Sequence, residues 1–505
     1  MGLGTINSRI LAPAHALLAR LHASNVGSRL TLGALWSLVG ALVSRFSTLI
    51  SAICMAKLLG GVGFGELGTV QATVGMLGLV AGFGLGQTST KYVAEFRNSE
   101  PRRAGQIMTL TSLIAMVTGV LMASALVLYA PWLAAHTLSA PHLAGLLQIS
   151  AILLLFSVLN GAQIGALAGL EAFPLIARIN VLTGALYFPL TVGGSYWFGT
   201  QGAVWGLAIA QVLAWICYHI VLRLQLSKLA IPFHFRDCHR EWRVIFDFSL
   251  PALLANVMAG AANWAATALL VNQANGYLSM GIYNAANQWR LIIMFIPSMI
   301  MQAALPVMSS LSQGSEQKAD FDRSLTFAQM TMIAVGFPVA IGFMFFSDII
   351  LGFYGADFQG GSIVFIGLVL TALIQCIGSI TGTMIEAKGM MWYGFWINAG
   401  WALLYLGMVA LTVGHWHGVA LAFASVAAYC VITLVSYYLM RRMLPAGMVA
   451  TVVKSLLAAL AVAGICLVTP VPLRPFVAIP MAGVALLLLL RYLKRLGLLR
   501  PALTS

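Results

Sequence analysis

Arg45 lies near the middle of an apolar stretch, residues 30–56, that is long enough to cross a bilayer as one helix. The stretch holds no acidic residue, and a charge at the bilayer centre costs at least about 2.5 kcal/mol. Arg45 is therefore either a snorkelling or structural residue, or a cation that lines a hydrated path and binds an anion. The second interpretation predicts a negatively charged substrate.

Hydroxyl side chains accompany Arg45 in the same stretch. Ser44, Ser47, Thr48 and Ser51 are spaced at i, i+3, i+4 and i+7, which places them on one face of a helix. This spacing predicts a hydrated face turned towards the interior of a helix bundle. We therefore group Ser44 and Thr48 with Arg45 as candidate substrate-binding residues.

A second arginine occurs within an apolar stretch in the second half of the chain. Arg290 follows Asn287 by three residues, so the two side chains share a helix face. Arg290 is either an interfacial arginine near a helix end or a second cation that faces Arg45 between the two halves of the protein.

Amide side chains inside apolar stretches form a third group of candidates. They occur as two pairs, each on one helix face: Asn160 with Gln163, and Asn256 with Asn263. Such amides either hold helices together or bind the hydroxyl groups of a sugar. In the second case, Trp264 or Trp289 would stack on the sugar ring.

The composition is that of a membrane protein. Of the 505 residues, 60% are hydrophobic and 8% are charged, whereas soluble domains have about 25% charged residues. The apolar runs continue over about 20 residues, which predicts transmembrane helices and not the alternating strands of a membrane barrel. The net charge of +14 is spread over short loops, so the sequence does not predict binding to nucleic acid.

The apolar runs predict an all-α polytopic membrane protein with about fourteen transmembrane helices. Their approximate ranges are 30–56, 67–89, 106–130, 144–169, 179–199, 203–226, 248–272, 281–309, 323–347, 362–386, 393–413, 418–440, 451–469 and 475–491. Most of the 27 lysines and arginines fall in alternate loops, and basic loops stay on the cytoplasmic side. The sequence therefore predicts cytoplasmic termini, with residues 1–29 as an interfacial segment on that face.

The first twelve predicted helices form two similar halves. Gly65 of GELGTVQA and Gly281 of GIYNAANQ are 216 positions apart, as are Gly202 of GAVWGLA and Gly418 of GVALAFA. Because each half has six helices, both begin on the same side of the membrane. We predict a first lobe at 30–226, a basic cytoplasmic linker at 227–247, a second lobe at 248–440, and a helix pair with a cytoplasmic tail at 441–505.

The sequence gives little support to chemistry that needs carboxylates, metals or nucleotides. Most of the acidic residues lie in predicted loops, whereas a cation-coupled drug exporter is expected to hold a carboxylate inside its bundle. His415 and His417 are too few ligands for a zinc site. The glycines of GGVGFG follow an apolar helix without GKS or GKT, which predicts a turn and close packing, not a nucleotide-binding loop. We expect no metal, cofactor or enzymatic activity.

Glycine-rich and aromatic motifs run in a fixed order through residues 30–440. They are LLGGVGFGELGTVQATVG, GFGLGQTSTKYVAEFR, GLEAFPLIARIN, FSLP at the predicted seventh helix and YNAANQW at the eighth. This ordered set resembles the polysaccharide-transporter branch of the multidrug/oligosaccharidyl-lipid/polysaccharide exporter superfamily. The resemblance implies two six-helix lobes in a V, with an added helix pair. It also implies a flippase in the bacterial cytoplasmic membrane that moves undecaprenyl-pyrophosphate-linked oligosaccharide outward by alternating access.

The resemblance sets the expected partners, and two other functions stay open. The partners are the lipid-linked oligosaccharide, membrane lipids and polysaccharide assembly proteins, and the protein is expected to be a monomer. A multidrug antiporter of the same superfamily is disfavoured by the missing acids. A polysaccharide polymerase or ligase handles the same lipid carrier but is expected to need a larger outer loop than this sequence offers.

Overall fold

Long apolar helices make up the computed structural model, which describes residues 25–229, 231, 242, 250–311, 318–388 and 390–495. Within these ranges there is no β-strand. Helices suit a membrane because each one satisfies its own backbone N–H and C=O groups where no water is present. The predicted all-α class is confirmed.

The first lobe contains six long helices. In two places, one helix follows the previous one directly, with only a one- or two-residue break in the helical backbone between them. The helix Asn25–Gly82 breaks at Gly60, whose φ of 70° is unfavourable for other residues. The helix Phe173–Lys228 breaks at Phe198 and Gly199. The six helices are α1 (25–59), α2 (61–82), α3 (Pro101–Trp132), α4 (Ala144–Gly169), α5 (173–197) and α6 (200–228). A short helix, Leu85–Phe96, continues α2 after a turn.

The second lobe also has six long helices, and two more follow it. They are α7 (Leu250–Val271), α8 (Gly276–Leu311), α9 (Lys318–Phe345), α10 (Ser362–Ala387), α11 (Met391–Trp416), α12 (Gly418–Leu439), α13 (Met448–Val468) and α14 (Arg474–Arg495). The last two pack on α9 and α10. The buried Arg474 fastens α14 there: it forms an ion pair with Asp348 and donates a hydrogen bond of 3.3 Å to the Ser347 hydroxyl.

The helix α8 differs from its neighbours in polarity. Among the described residues, nine helical spans are long and apolar enough to cross a membrane and two more helices contain shorter apolar segments, and α8 is in neither group. Its first half carries Asn284, Asn287, Gln288 and Arg290. None of its residues from 276 to 295 is exposed, so the fold shelters this polar helix from lipid.

The two ends of the bundle carry different side chains. One end, which we name the basic end, holds the exposed arginines Arg102, Arg178, Arg223, Arg441 and Arg442. We name the other the opposite end. Exposed aromatic side chains occur at both, as expected for residues in the two interfaces of a bilayer: Trp132, Trp197, Phe198, Trp416 and Phe476 at the opposite end, and Trp392, Tyr393, Trp396 and Tyr438 at the basic end.

The two lobes meet along α2 on one side and α7 and α8 on the other. The indole N–H of Trp264 on α7 donates a hydrogen bond of 3.1 Å to the buried Thr73 hydroxyl on α2. Phe64 on α2 packs its ring against Tyr354 and Phe358, which follow α9. These contacts run from the middle of the bundle to its opposite end.

Candidate functional site

Arg45 lies on the face of α1 that packs into the protein. At 100° per residue, the side chains of Leu49, Ala52 and Ala56 project within about 40° of its direction. Those three side chains are buried, whereas Arg45 is exposed. The packed face of α1 therefore opens at the level of Arg45.

Other residues form the lipid-facing side of α1. Val43, Phe46 and Ile50 are exposed and project about 100° or more away from Arg45. Together with Phe188 of α5 they border an apolar surface groove. Arg45 therefore projects in a different direction from these three residues, on the side of α1 that carries Leu49, Ala52 and Ala56.

No described carboxylate neutralises Arg45. Its side chain has neither an ion pair nor a hydrogen bond with another residue in the ranges that the structure covers. An intramembrane cation in this situation is costly unless water or an anion solvates it. The arrangement favours a hydrated, anion-binding role over a structural ion pair.

Part of the hydroxyl stripe beside Arg45 is a helix contact, so the predicted hydrated face is wrong for Ser47 and Ser51, while substrate binding by Ser44 and Thr48 stays a prediction. The Ser47 hydroxyl donates to the Gly184 carbonyl oxygen of α5 at 2.5 Å, and Ser51 is fully buried. The Thr48 and Ser51 hydroxyls donate to the backbone one turn earlier. Ser44 faces Gly184 of α5: a Cβ added at Gly184 would lie 3.2 Å from the Cα of Ser44. The Ser47 bond joins α1 to α5, whereas the Thr48 and Ser51 bonds stay within α1.

Arg290 belongs to a polar cluster inside the second lobe. Its Nε donates to Asn287 Oδ1 at 2.8 Å and its Nη1 to Gln375 Oε1 of α10 at 3.0 Å. Both acceptors are neutral amides, so the positive charge of the guanidinium is not compensated by them. Two of its five N–H donors are used in these bonds, and three point elsewhere.

Tyrosines extend this cluster beyond the predicted residues. Tyr429 of α12 is in hydrogen-bond contact with Gln375. Tyr405 of α11 contacts both Tyr283 of α8 and Ser425 of α12 in the same way. Four helices thus converge on Arg290, and sequence reasoning found only Asn287 and Arg290 of this set. The available signal was the spacing of polar residues in two of the apolar helices, with Gln375 four residues after Thr371 and Tyr429 four residues after Ser425.

The first pair of amides joins two helices of the first lobe. Asn160 of α4 is buried and donates to the side-chain oxygen of Gln211 on α6 at 2.7 Å. Gln163 lies beside Trp215 and His219 of α6. In the amide orientation that satisfies both polar groups of Trp215, Gln163 accepts a hydrogen bond from the indole N–H at 3.1 Å. It also donates one to the Trp215 carbonyl oxygen at 3.3 Å. This geometry supports the helix-joining interpretation.

The second pair of amides is only partly described. The side chain of Asn256 lies outside the described residues. Asn263 is exposed and donates to the Ala259 carbonyl oxygen of its own helix at 2.8 Å. The indole N–H groups of the two predicted sugar platforms are hydrogen-bonded: Trp264 donates to the Thr73 hydroxyl, and Trp289 donates to the Tyr354 hydroxyl, each at 3.1 Å.

The lobes are joined at the opposite end through loops. The Tyr277 hydroxyl donates to the Leu138 carbonyl oxygen at 2.7 Å, and Asn272 donates to the Thr137 carbonyl oxygen at 2.8 Å. Ser139 also donates to Asn272. Asp357 accepts a hydrogen bond of 2.8 Å from the Gly61 N–H at the start of α2. Together these contacts close the opposite end.

Acidic residues are scarce within the described helices. Glu66 lies in α2, where the sequence analysis placed it in a loop, and it pairs with His142 at 2.7 Å near the opposite end. Two further acids were expected near the cytoplasmic ends of predicted helices: Asp247 lies outside the described residues, as does the side chain of Glu386. No group of three or more potential metal ligands occurs in the described part of the chain.

Comparison with known proteins decides the family. Residues 30–312 match the polysaccharide biosynthesis protein family. The chain belongs to this family.

Relatives of this polysaccharide biosynthesis protein include exporters. The EPS I polysaccharide export inner membrane protein EpsE of Ralstonia solanacearum is 24% identical over 401 residues, which are 78% of this chain and 89% of EpsE. The lipid III flippase of Escherichia coli strain K12 is 23% identical over 310 residues, which are 60% of this chain and 73% of the flippase. These relatives are named as an exporter and a flippase, not as enzymes.

Solved structures share the fold of this family member. The lipid II flippase MurJ in an inward closed conformation matches with a TM-score of 0.70 at 15% identity, over 92% of this chain and 100% of that chain. An inward-facing multidrug resistance MATE family transporter of the MOP superfamily matches with a TM-score of 0.65 at 15% identity, over 83% and 99%. The predicted two-lobed fold with an added helix pair is confirmed.

Proposed function

We propose that this protein is a flippase for undecaprenyl-pyrophosphate-linked oligosaccharide in the bacterial cytoplasmic membrane. The observation that carries the proposal is the exposed Arg45 on the packed face of α1, deep in a bilayer-spanning helix and without a carboxylate partner. A pyrophosphate loses its hydration when it crosses hydrocarbon, and a cation in a hydrated cleft replaces part of it. The names of EpsE and the lipid III flippase support this class of substrate.

The cluster around Arg290 is proposed to bind the oligosaccharide part. Neutral amides and tyrosine hydroxyls both donate and accept hydrogen bonds, as sugar hydroxyls require. The guanidinium of Arg290 is held from one side by Asn287 and Gln375, so its remaining donors are oriented for a ligand. In this proposal, Arg45 binds the phosphates and the second lobe binds the glycan.

The closed opposite end indicates the step of the cycle that the structure represents. If the basic end is cytoplasmic, as the positive-inside rule predicts, the loop contacts of Asn272 and Tyr277 close the outer side. The substrate would then load from the cytoplasm. Rocking of the two lobes would break these contacts and open the outer side.

Membrane potential is proposed to help drive this cycle. With the cytoplasm negative, outward movement of each negative charge is favoured by about 2.3 kcal/mol per 100 mV. No carboxylate for cation exchange lies at mid-membrane depth among the described residues, which disfavours the multidrug antiporter alternative. Flipping in proteoliposomes is expected to slow when the potential is collapsed, and a rate that stays unchanged contradicts this part of the proposal.

The test of the function is complementation in the host strain deleted for this gene. Arg45→Ala is expected to reduce polysaccharide export at least tenfold, since a charge-assisted contact is worth about 1.5–3 kcal/mol. Arg45→Lys should retain more export than Arg45→Ala if charge is the main requirement. Phe46→Ala is the matched control, because its side chain faces lipid on the same helix.

Two results would contradict the proposal. Deletion of the gene without accumulation of a lipid-linked oligosaccharide in the inner leaflet would exclude the flippase function. Full export by Arg45→Ala, with the variant folded and inserted at the normal level, would exclude Arg45 as the phosphate-binding residue.

A further inference from the structure

An apolar groove of about 730 Å³ lies on the side of the second lobe, between α9, α13 and α14. Phe337 and Ile341 of α9 and Val462 of α13 form part of its wall. None of its lining residues belongs to α1, α2 or α8, the helices that carry Arg45, the lobe contact and Arg290. The groove is therefore separate from the site proposed for the oligosaccharide.

One end of the groove is polar. Among the described residues that line it, Thr451, Lys454 and Ser455 are the polar ones, and all three lie within five positions on α13. They lie towards the basic end, whereas the rest of the lining is aliphatic, aromatic or thioether. Lys454 is exposed, so its ammonium group is available to a ligand. This polarity profile matches an amphiphile with an anionic head and an apolar chain.

The length of the groove fits one leaflet. From Thr451 to Val462 the helix rises about 16 Å at 1.5 Å per residue, which is about half of the 30 Å hydrocarbon core. An acyl chain of a membrane phospholipid reaches to the bilayer midplane and matches this length. An undecaprenyl chain is much longer and would extend beyond the groove.

We propose that this groove binds an anionic glycerophospholipid of the leaflet at the basic end, with its phosphate on Lys454 and an acyl chain along α9, α13 and α14. The lipid would complete the attachment of the added helix pair. Arg474 fastens that pair at the opposite end through Asp348, and the lipid would fasten it near the basic end. Membrane phospholipid is always present, so this site would be occupied through the whole transport cycle.

The test is lipid retention by the purified full-length protein. After reconstitution with equal amounts of phosphatidylglycerol and phosphatidylethanolamine and extraction in mild detergent, native mass spectrometry counts the lipids that remain bound. We expect about a fivefold preference for phosphatidylglycerol, as one basic residue near the membrane surface provides. Lys454→Gln should abolish the preference, and Lys454→Arg should keep it.

Filling the groove gives a second, independent readout. Ala458→Phe introduces a ring into the groove and should remove the retained lipid. Ala461→Phe is the matched control, because Ala461 is exposed on the same helix and does not line the groove. An unchanged preference in Lys454→Gln, or retention in Ala458→Phe equal to that in Ala461→Phe, would overturn the proposal. Displacement of phosphatidylglycerol by undecaprenyl phosphate at equal concentration would also overturn it and assign the groove to the carrier lipid.

Discussion

Gly65 on α2 and Gly281 on α8 lie against each other in a nearly symmetrical crossing. A Cβ built at Gly65 would lie 1.8 Å from the Tyr277 carbonyl oxygen, and one at Gly281 would lie 2.1 Å from the Gly61 carbonyl oxygen. Each glycine thus contacts the backbone four residues before the other. This is the contact expected if an axis along the membrane normal relates the two lobes, and the spacing of 216 positions between the glycines agrees with it.

The first prediction concerns this crossing. Gly65→Ala and Gly281→Ala should prevent closure at the opposite end, because the added methyl group would overlap a backbone carbonyl that cannot turn aside. We expect export to fall at least tenfold while the protein still inserts. Spin labels at the exposed loop positions His136 and Asn275, in a variant lacking the native cysteines, should report longer distances between the lobes.

A glycine on the same helix provides the control for that experiment. Gly75 of α2 has nothing within 4 Å of an added Cβ, so Gly75→Ala should preserve both the distance and export. If Gly65→Ala behaves like Gly75→Ala, close packing at the crossing is not required for closure.

The second prediction concerns Asp357, which accepts a hydrogen bond from the Gly61 N–H at the start of α2. A carboxylate that caps a helix start stabilises it by about 0.5–2 kcal/mol. Asp357→Ala should therefore shift the population towards the form that is open at the opposite end by several fold. The same spin-label distances measure the shift. Asp357→Asn, which keeps an acceptor oxygen, should shift it less, and equal shifts would show that only the charge matters.

The sequence predicted the helices and the cation but not how the polar side chains are used. Arg45 could be identified because a lone arginine in an apolar helix is costly wherever the helix packs. Ser47 and Ser51 were misinterpreted because the same spacing is found on a water-facing side and on a side that contacts a neighbouring helix. Only the position of Gly184 on α5 distinguishes the two.

The cluster around Arg290 shows a different limit. Gln375 and Tyr429 each lie in a run of polar residues at four-residue spacing, Thr371 to Ser379 and Ser425 to Thr433, but such a run does not show which neighbouring helix its face contacts. Gln375, Tyr405 and Tyr429 come together because α10 and α12 pack on α8, while α11 packs on α7 and α12. The start of α2 was also predicted six residues late, since glycines near residue 60 indicated a longer turn than the single break at Gly60.

The third prediction separates helix joining from substrate binding in the first lobe. Asn160→Leu and Gln211→Leu each leave the other amide without its partner at 2.7 Å. We expect both variants to lower the thermal unfolding midpoint, with a coupling of about 0.6–1.7 kcal/mol in the double-mutant cycle. Export per folded molecule should stay close to normal. Loss of export at unchanged stability would instead place Asn160 in the substrate site.

The fourth prediction tests whether Arg290 acts through its charge or through its fixed orientation. Arg290→Gln removes the charge and should lower export at least tenfold, because the cluster would no longer attract an anionic or highly polar ligand. Arg290→Lys keeps the charge, but an ammonium group lacks the planar set of N–H donors with which the guanidinium bonds Asn287 and Gln375 at the same time. If orientation matters, Arg290→Lys should raise the apparent KM of flipping in proteoliposomes more than it lowers the maximal rate. Arg178→Gln, which removes an exposed arginine at the basic end, is the control. Normal export by Arg290→Gln would reduce the cluster to a structural element.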